Sequence, residues 1–194
     1  MQVSSEIAFR EWAPVVDALG RGEQIIILRK GGIRENRGEF LVDHREFWLF
    51  PTQFHEAERS IIPSKRPALR EIAARMVKDA VDIEFFVVAD PVLRISDVHP
   101  LKRLQGRHIW NEQILQQRFE SGREPGLHAL IARVYRLPAP QQVAMHENYG
   151  GCKSWIELER TITADVTPVL TDAEFAAQRE EICELISGHA LAHP

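Results

Sequence analysis

Cysteine and long apolar runs are scarce in this 194-residue sequence. Its two cysteines, Cys152 and Cys183, form no C-x-x-C pair, which excludes a disulfide scaffold or a cysteine-based zinc site. The longest apolar runs, 25–28 and 85–89, are far shorter than the ~20 residues that span a bilayer. Residues 1–6 are polar and give no apolar signal core. We therefore expect a reduced, cytoplasmic protein that does not enter a membrane.

The composition is that of an ordinary globular protein, with 44% hydrophobic and 27% charged residues. No repeat, low-complexity tract or Gly/Ser/Pro-rich linker divides the chain, so we expect one globular domain over 1–194. Basic residues predominate over acidic ones in 21–37 and 59–78, whereas 156–194 is acidic. This separation is typical of a basic binding face, although ordinary solvated helix faces also produce it.

Periodicity predicts an irregular mixture of helices and strands. Helical periodicity runs over 8–19, where Pro14 predicts that the helix kinks or starts nearby. Further helices are expected over 64–79, after Asn111, and after a capping box at Thr171–Glu174. Strands are expected over 23–30, 39–42, 47–50, 82–95 and 127–137, with 138–152 irregular. Asp90-Pro91 predicts a break in the strand at 82–95, by a bulge or an edge position. Because the order lacks a regular βαβ rhythm, the sequence predicts an α+β fold with a mixed or antiparallel sheet and flanking helices. A small, partly closed barrel is one version of it.

The first candidate site is the turn after the strand at 23–30. Gly31 and Gly32 allow the backbone to turn tightly and to expose N–H groups, while Arg29, Lys30 and Arg34 supply positive charge. This combination suits a phosphate or another anion. The pattern is neither a P-loop nor a dinucleotide motif, and a plain tight turn needs only the glycines.

The second candidate surrounds the aromatic strand at 47–50. His44 and His55 flank this strand, which contains Trp48 and ends before Thr52. The eleven positions between the histidines do not match the i, i+4 spacing of a helical metal pair, so contact with a polar ligand is favoured over a metal site. Purely structural histidines remain the alternative.

The third candidate is the segment from Tyr149 to Trp155. Small residues between two aromatic side chains can form a wall on which a planar group stacks, with Lys153 beside it for an anion. Cys152 is not paired by spacing with a catalytic histidine, so we do not assign it as a nucleophile. The alternative is a packed turn. Earlier in the chain, residues 108–111 are predicted to form a helix cap with Trp110 packed beneath it.

These observations favour a non-catalytic module that binds nucleic acid or a nucleotide-like anion. Arg29, Lys30, Arg34 and Lys153 would contact phosphate, and Trp48 or Trp155 would stack on a base. A metal-dependent hydrolase or nuclease using His44 and His55 is the rival, although no acid-x-Lys motif lies on a predicted strand. A protein-interaction subunit is the third hypothesis. No cofactor is predicted.

The same motifs resemble an uncharacterised bacterial and cyanobacterial family that is known as a domain of unknown function. The resemblance runs through AFREWAPVVDALGRGEQIIILRKGGI at 8–33, FLVDHREFWLFPTQFH at 40–55, HIWNEQILQQRF at 108–119, RVYRLPAP at 133–140 and YGGCKSWIEL at 149–158. It implies no catalytic residue. It implies an association with restriction and defence systems, which favours nucleic acid as the partner. The order of strands is also similar, more loosely, to PUA-like domains, in which a nucleobase often enters an aromatic pocket.

Overall fold

The structure is a computed structural model, and it describes residues 1–30, 44–53, 57–122, 124–151 and 153–188. Seven strands and six α-helices lie in this part of the chain. The strands are β1 (Gln2–Trp12), β2 (Ile26–Arg29), β3 (Glu46–Thr52), β4 (Ala80–Ile95), β5 (Leu127–Ala144), β6 (Trp155–Asp165) and β7 (Thr167–Pro168). The helices are α1 (Ala13–Gly20), α2 (Ala57–Ser60), α3 (Ala68–Arg75), α4 (Val98–Arg103), α5 (Glu112–Glu120) and α6 (Asp172–Ser187).

One mixed sheet contains all seven described strands. Its order is β2-β5-β4-β3-β1-β6, and the short β7 pairs with β5. The pairing of β1 with β3 is parallel, and the other pairings are antiparallel. Among the described residues the sheet does not close on itself. The predicted α+β class, with a mixed sheet and flanking helices, is confirmed.

The N-terminal strand β1 corrects the first part of the helical pattern predicted over 8–19, whereas the predicted start of the helix near Pro14 is confirmed. The apolar spacing there fits one helical face, but residues through Trp12 are extended and the helix begins at Ala13. Pro14 lies in the first turn of α1, where its missing N–H costs no hydrogen bond. β1 lies between β3 and β6, and pairing on both sides outweighs the local helical pattern.

The long hairpin of β4 and β5 extends beyond the predicted strands. β4 shows two register shifts, one between Ile83 and Phe85 and the other around the cis Asp90–Pro91 bond, where a break was predicted. β5 continues to Ala144, so the expectation of irregular structure from 138 onward was wrong as far as that residue. Pro138 and Pro140 lie in this exposed part of the strand, and a partner along one edge is enough to hold it extended.

The sheet is buried on both of its faces at β3. On β3, Phe47 and Leu49 belong to one apolar cluster, whereas Trp48 and Phe50 belong to the other. The alternation follows from the two-residue period of a strand. The first cluster packs against α1, α4, α5 and α6, and the second packs against β6 and the turn at Tyr149. The continuous apolar run in β3 is therefore the signature of a strand covered on both sides.

The capping box at the start of α6 is confirmed. The Thr171 hydroxyl accepts a hydrogen bond from the Glu174 backbone N–H (3.2 Å), and the Glu174 carboxylate accepts one from the Thr171 N–H (2.8 Å). The hydrogen bonds from Thr171 lower the pKa of the exposed Glu174 carboxyl. Gly188 ends the helix in the left-handed region, with φ of 73°.

Replacing Thr171 by alanine is expected to lower the free energy of unfolding by about 1 kcal/mol, because one backbone donor of α6 loses its partner. Urea denaturation followed by circular dichroism measures the change. Thr167→Ala, at another exposed threonine, is the matched control and should leave the midpoint unchanged. Equal midpoints for Thr171→Ala and the wild type would contradict the energetic role of the cap.

No helix in the described part of the chain is long and apolar enough to cross a membrane.

Candidate anion-binding site

Segments that are distant in the sequence meet around the ring of Phe9 on β1. The Arg29 guanidinium lies 4.6 Å from the Phe9 ring centroid. The rings of Trp155 and Phe47 lie 4.7 and 5.2 Å from it, centroid to centroid. Phe9 is fully buried, and it therefore acts as the floor on which the other groups are placed. We call Phe9, Glu11, Arg29, His44, Phe47 and Trp155 the Phe9 site.

Arg29 ends β2 and points its guanidinium towards β1. It donates a hydrogen bond to the Arg10 carbonyl, and its Nε lies 3.7 Å from the Glu11 carboxylate. The Arg29 side chain is 20% exposed and that of Glu11 only 3%. Glu11 also accepts a hydrogen bond from the Trp12 N–H (2.7 Å). A charged pair is thus embedded at the end of β1, next to the outermost strand β6.

Trp155 and His44 form the aromatic side of the site. Their rings meet edge to face with centroids 5.4 Å apart, and Trp155 contacts Phe47 in the same manner at 5.0 Å. Both residues are half-buried. The indole N–H of Trp155 is buried and has no hydrogen-bond partner in the described part of the protein. Trp155 is therefore a donor-bearing aromatic surface next to an arginine.

A second arginine is enclosed by two tryptophans beside the Phe9 site. The guanidinium of Arg118 lies 4.2 Å from the ring centroids of both Trp12 and Trp110. Burial lowers the pKa of Arg118; Glu11 opposes this effect, and the positive charge of Arg29 adds to it. We call Trp12, Trp110 and Arg118 the arginine clamp. Cation–π contact stabilises the buried guanidinium but does not neutralise its charge.

Side chains at both ends of α5 hold the helix, and hence Arg118, in position. The Asn111 side chain caps the helix by accepting from the Gln113 N–H (2.9 Å), which confirms the predicted cap. At the other end, the Lys30 ammonium donates to the carbonyls of Phe119 (2.9 Å) and Glu124 (2.6 Å). Burial lowers the pKa of Lys30, and the nearby Arg94 adds to this effect. In the structure Lys30 fixes the end of α5, and its predicted contact with an anion stays a prediction.

Thr52 and Lys153 lie at the border of the site. The Thr52 hydroxyl donates to the Glu11 carbonyl (3.1 Å), so it fixes the backbone that carries the buried carboxylate. Arg10 donates to the carbonyls of Gly151 and Lys153 and thereby ties the turn before Trp155 to β1. The Lys153 side chain is exposed and lines an open cleft of about 610 Å³ together with Trp155.

Two predicted stacking residues belong to the core instead. Trp48 is fully buried, donates its indole N–H to the Ser5 carbonyl (2.9 Å) and packs against Phe86. Tyr149 is 1% exposed, and its hydroxyl accepts from the Glu159 N–H (2.9 Å). Both lie in the second apolar cluster, on the face of the sheet opposite Phe9. Their predicted contact with a ligand was therefore wrong, because each ring and polar atom is already used internally.

Several predicted positions lie outside the described residues. They are Gly31, Gly32, Arg34, His55 and Cys152. Within the described ranges, no three His, Cys, Asp or Glu side chains are grouped so that they could hold a metal ion. The metal-dependent hydrolase that uses His44 and His55 stays a prediction.

Sequence reasoning missed Glu11, Trp12 and Arg118 as members of one site. The signal for the first two was present: a charged residue and an aromatic one follow the apolar Ala8-Phe9 pair. Once this segment is recognised as a strand rather than a helix, Glu11 and Trp12 lie at the C-terminal end of that strand. Arg118 carried no local signal, since a single arginine on an amphipathic helix is usually solvated.

The Phe9 site and the arginine clamp together contain more positive than negative charge. Arg29 and Arg118 are both largely removed from water, and Glu11 is the one carboxylate in the two groups. A charge that is buried without full compensation is unfavourable, so the arrangement favours an additional anion. The half-buried aromatic rings beside it suit a planar group.

The chain belongs to a family defined as a domain of unknown function. The model of this family, DUF1802, matches residues 8–181 and thus includes the Phe9 site and the arginine clamp. The resemblance seen in the sequence is confirmed. No curated protein sequence matches the chain significantly.

Solved structures similar to this chain include ASCH from Zymomonas mobilis. That structure has a TM-score of 0.44 and 16% sequence identity, and the alignment covers 80% of this chain and 89% of that chain. Two mutant proteins of the same ASCH give TM-scores of 0.46 and 0.43 at the same identity, with 80% of this chain and 89% and 91% of theirs covered.

Proposed function

We propose that this domain binds single-stranded nucleic acid or a nucleotide without chemically altering it. The observation that supports this proposal is the meeting of Arg29, His44 and Trp155 around Phe9, since these residues come from three separate segments. Phosphate and base are the two chemical parts of a nucleotide, and a guanidinium beside an indole matches both.

The distribution of charge indicates how the ligand lies. Glu6, Glu157 and Glu159 line the open cleft beside Trp155, together with Asn148. An anion is disfavoured next to three carboxylates, whereas a neutral base with hydrogen-bonding edges is not. The phosphate therefore lies on the side of Arg29 and Arg118, and the base lies against Trp155.

Exposed Lys153 supplies a further, more distant charge. Lys153 borders the cleft that the three carboxylates line, and its exposed side chain can extend out of that cleft towards a second phosphate. Among the described contacts, Lys153 is engaged through its backbone carbonyl, by Arg10. With Arg29, Arg118 and Lys153 as the phosphate contacts, the affinity for a single strand should fall about 20-fold between about 50 mM and about 200 mM salt.

We expect measurable binding of short, labelled RNA or DNA single strands in fluorescence anisotropy at low salt. Trp155→Ala should weaken binding by about 5-fold to 150-fold, because one stacked base contributes about 1–3 kcal/mol. Trp155→Phe keeps an aromatic ring and should retain most of the affinity. Lys153→Ala should weaken binding and reduce its salt dependence.

Lys102→Ala is the matched control, because Lys102 is an exposed lysine on α4. Circular dichroism checks that each variant is folded. The proposal fails if no single strand or mononucleotide binds at low salt, or if Lys102→Ala weakens binding as much as Lys153→Ala does. Preference for RNA over DNA, or the reverse, is read from the same titrations.

A further inference from the structure

A second cleft, separate from the Phe9 site, lies between α1, α3 and the start of the β4–β5 hairpin. Its volume is about 610 Å³, which is within the range of small-molecule sites. Apolar side chains cover much of its surface: Ala13, Val16, Ile72, Met76, Val77 and Phe85. Among them Val77 is 53% exposed, so a large apolar group faces the open cleft. The cleft therefore offers apolar contact area that nothing in the described structure covers.

Three guanidinium groups converge at the last turn of α1, along one wall of the cleft. Arg21 Nε and Arg75 Nη2 lie 2.8 and 2.6 Å from the two carboxylate oxygens of Asp17. Arg136 Nη2 donates to the Gly20 carbonyl (2.6 Å), and its guanidinium lies 5.3 Å from the Phe85 ring centroid. These four charged residues carry three positive charges and one negative charge. The excess charge at this wall is complementary to an anion.

The remaining charges of the cleft lie on β4. Asp82 and Glu84 line it, on the same strand as Phe85. Asp82 accepts a hydrogen bond from the Gln142 side chain (3.3 Å). A ligand therefore meets guanidinium groups at the end of α1 and carboxylates on β4. This polarity fixes the direction in which an amphipathic molecule can lie.

The helix α3 forms the outer wall and is weakly held. Ile72 is its single buried residue, and the ion pair of Arg75 with Asp17 joins it to α1. Met76 and Val77, which follow the helix, line the cleft. The exposed Val77 side chain on this wall leaves water when it packs on a bound apolar group, and this burial favours binding.

We propose that this cleft binds a small amphipathic anion, namely a carboxylate, sulfonate or phosphate monoester on an alkyl or aromatic body. The acidic group lies among Arg21, Arg75 and Arg136, and the apolar body packs on Phe85 and Val77. This site is independent of the nucleic-acid proposal and would persist if that proposal failed.

The test uses 8-anilinonaphthalene-1-sulfonate, an aromatic sulfonate whose fluorescence rises in apolar surroundings. We expect saturable binding of one molecule per chain at this site. Decanoate should displace it, whereas decylamine, with the same alkyl chain and opposite charge, should not. Val77→Asp and Arg136→Gln should each weaken binding at least about tenfold, because the first places a carboxylate against the apolar body and the second removes a head-group contact.

Two controls match these variants. Met145→Asp introduces the same charge at another exposed apolar residue (44% exposed), and Arg107→Gln removes an exposed arginine paired with Glu181. Neither residue lines the cleft, and neither change should alter the affinity. The proposal is overturned if binding does not saturate, if decylamine competes as well as decanoate, or if the controls weaken binding as much as the cleft variants. Oligonucleotide binding by Val77→Asp, measured in parallel, should equal that of the wild type.

Discussion

Replacing Glu11 by alanine is expected to lower the free energy of unfolding by about 3–5 kcal/mol, because it removes the carboxylate of a buried ion pair and leaves its cationic partner uncompensated. The Glu11 side chain is 3% exposed and lies beside Arg29, whose side chain is 20% exposed. The guanidinium of Arg118 also interacts electrostatically with the Glu11 carboxylate. Urea denaturation at neutral pH measures the loss.

A double-mutant cycle separates the charge effect from the loss of packing. Arg29→Met removes the cation while keeping an unbranched chain on the Phe9 ring. If the charge dominates, Glu11→Ala combined with Arg29→Met should be more stable than the sum of the two single changes predicts, by about 1–3 kcal/mol. Simple additivity would show that Glu11 acts through packing and its hydrogen bond with the Trp12 N–H (2.7 Å).

The Arg29→Met variant also tests the proposed ligand site. If Arg29 and Arg118 carry more charge than Glu11 balances, added inorganic phosphate or a mononucleotide should raise the melting temperature of the wild type, since a ligand that binds only the folded state stabilises it. The stabilisation should be smaller for Arg29→Met. An equal rise in both proteins would place anion binding elsewhere on the molecule.

His108 is expected to make the protein lose stability in acid. Burial lowers the pKa of His108 to about 4, and the residue is 5% exposed. In the unfolded chain a histidine titrates near 6.5. Between these two values the unfolded chain takes up a proton and the folded protein does not, so stability is retained above about pH 6.5 and falls as the pH drops to about 4. The contribution of this one residue is about 3 kcal/mol.

The measurement compares urea denaturation at neutral and acidic pH for the wild type and His108→Leu. Carboxylates contribute to acid destabilisation in both proteins, so the difference between the two isolates the histidine. His108→Leu should lose about 3 kcal/mol less than the wild type between neutral pH and about pH 4. His99→Leu, at an exposed histidine, should behave as the wild type. If all three proteins lose stability equally, His108 is hydrated or charged in the folded state.

His108 lies close to the arginine clamp in the sequence, two residues before Trp110. His108 precedes the bridge between Ile61 and Trp110, which holds one wall of the arginine clamp, and Ile109 donates its N–H to the buried Gln24 side chain. Protonation of His108 in acid would therefore be expected to loosen the clamp. An acid-dependent loss of ligand binding that disappears in His108→Leu would be consistent with this link.

The candidate site shows how far local patterns can identify function. Arg29, His44 and Trp155 were each singled out from short motifs, and the structure brings them together. Trp48 and Tyr149 came from the same motifs and face the opposite side of the sheet. Neighbours along a strand point to opposite faces, so a motif can suggest that a strand matters but does not show which side carries the site.

Local patterns were enough to predict the elements that depend on neighbours a few residues apart. The cap at Asn111, the capping box at Thr171 and the apolar strand β3 are of this kind, because helix caps and strand periodicity are local. The tertiary structure decided that the segment through Trp12 is a strand, since β3 and β6 pair with it on both sides. It also decided that Glu11, Arg29 and Arg118 share one buried region. Such contacts depend on strand register and on the packing of distant segments, which no short window of residues contains.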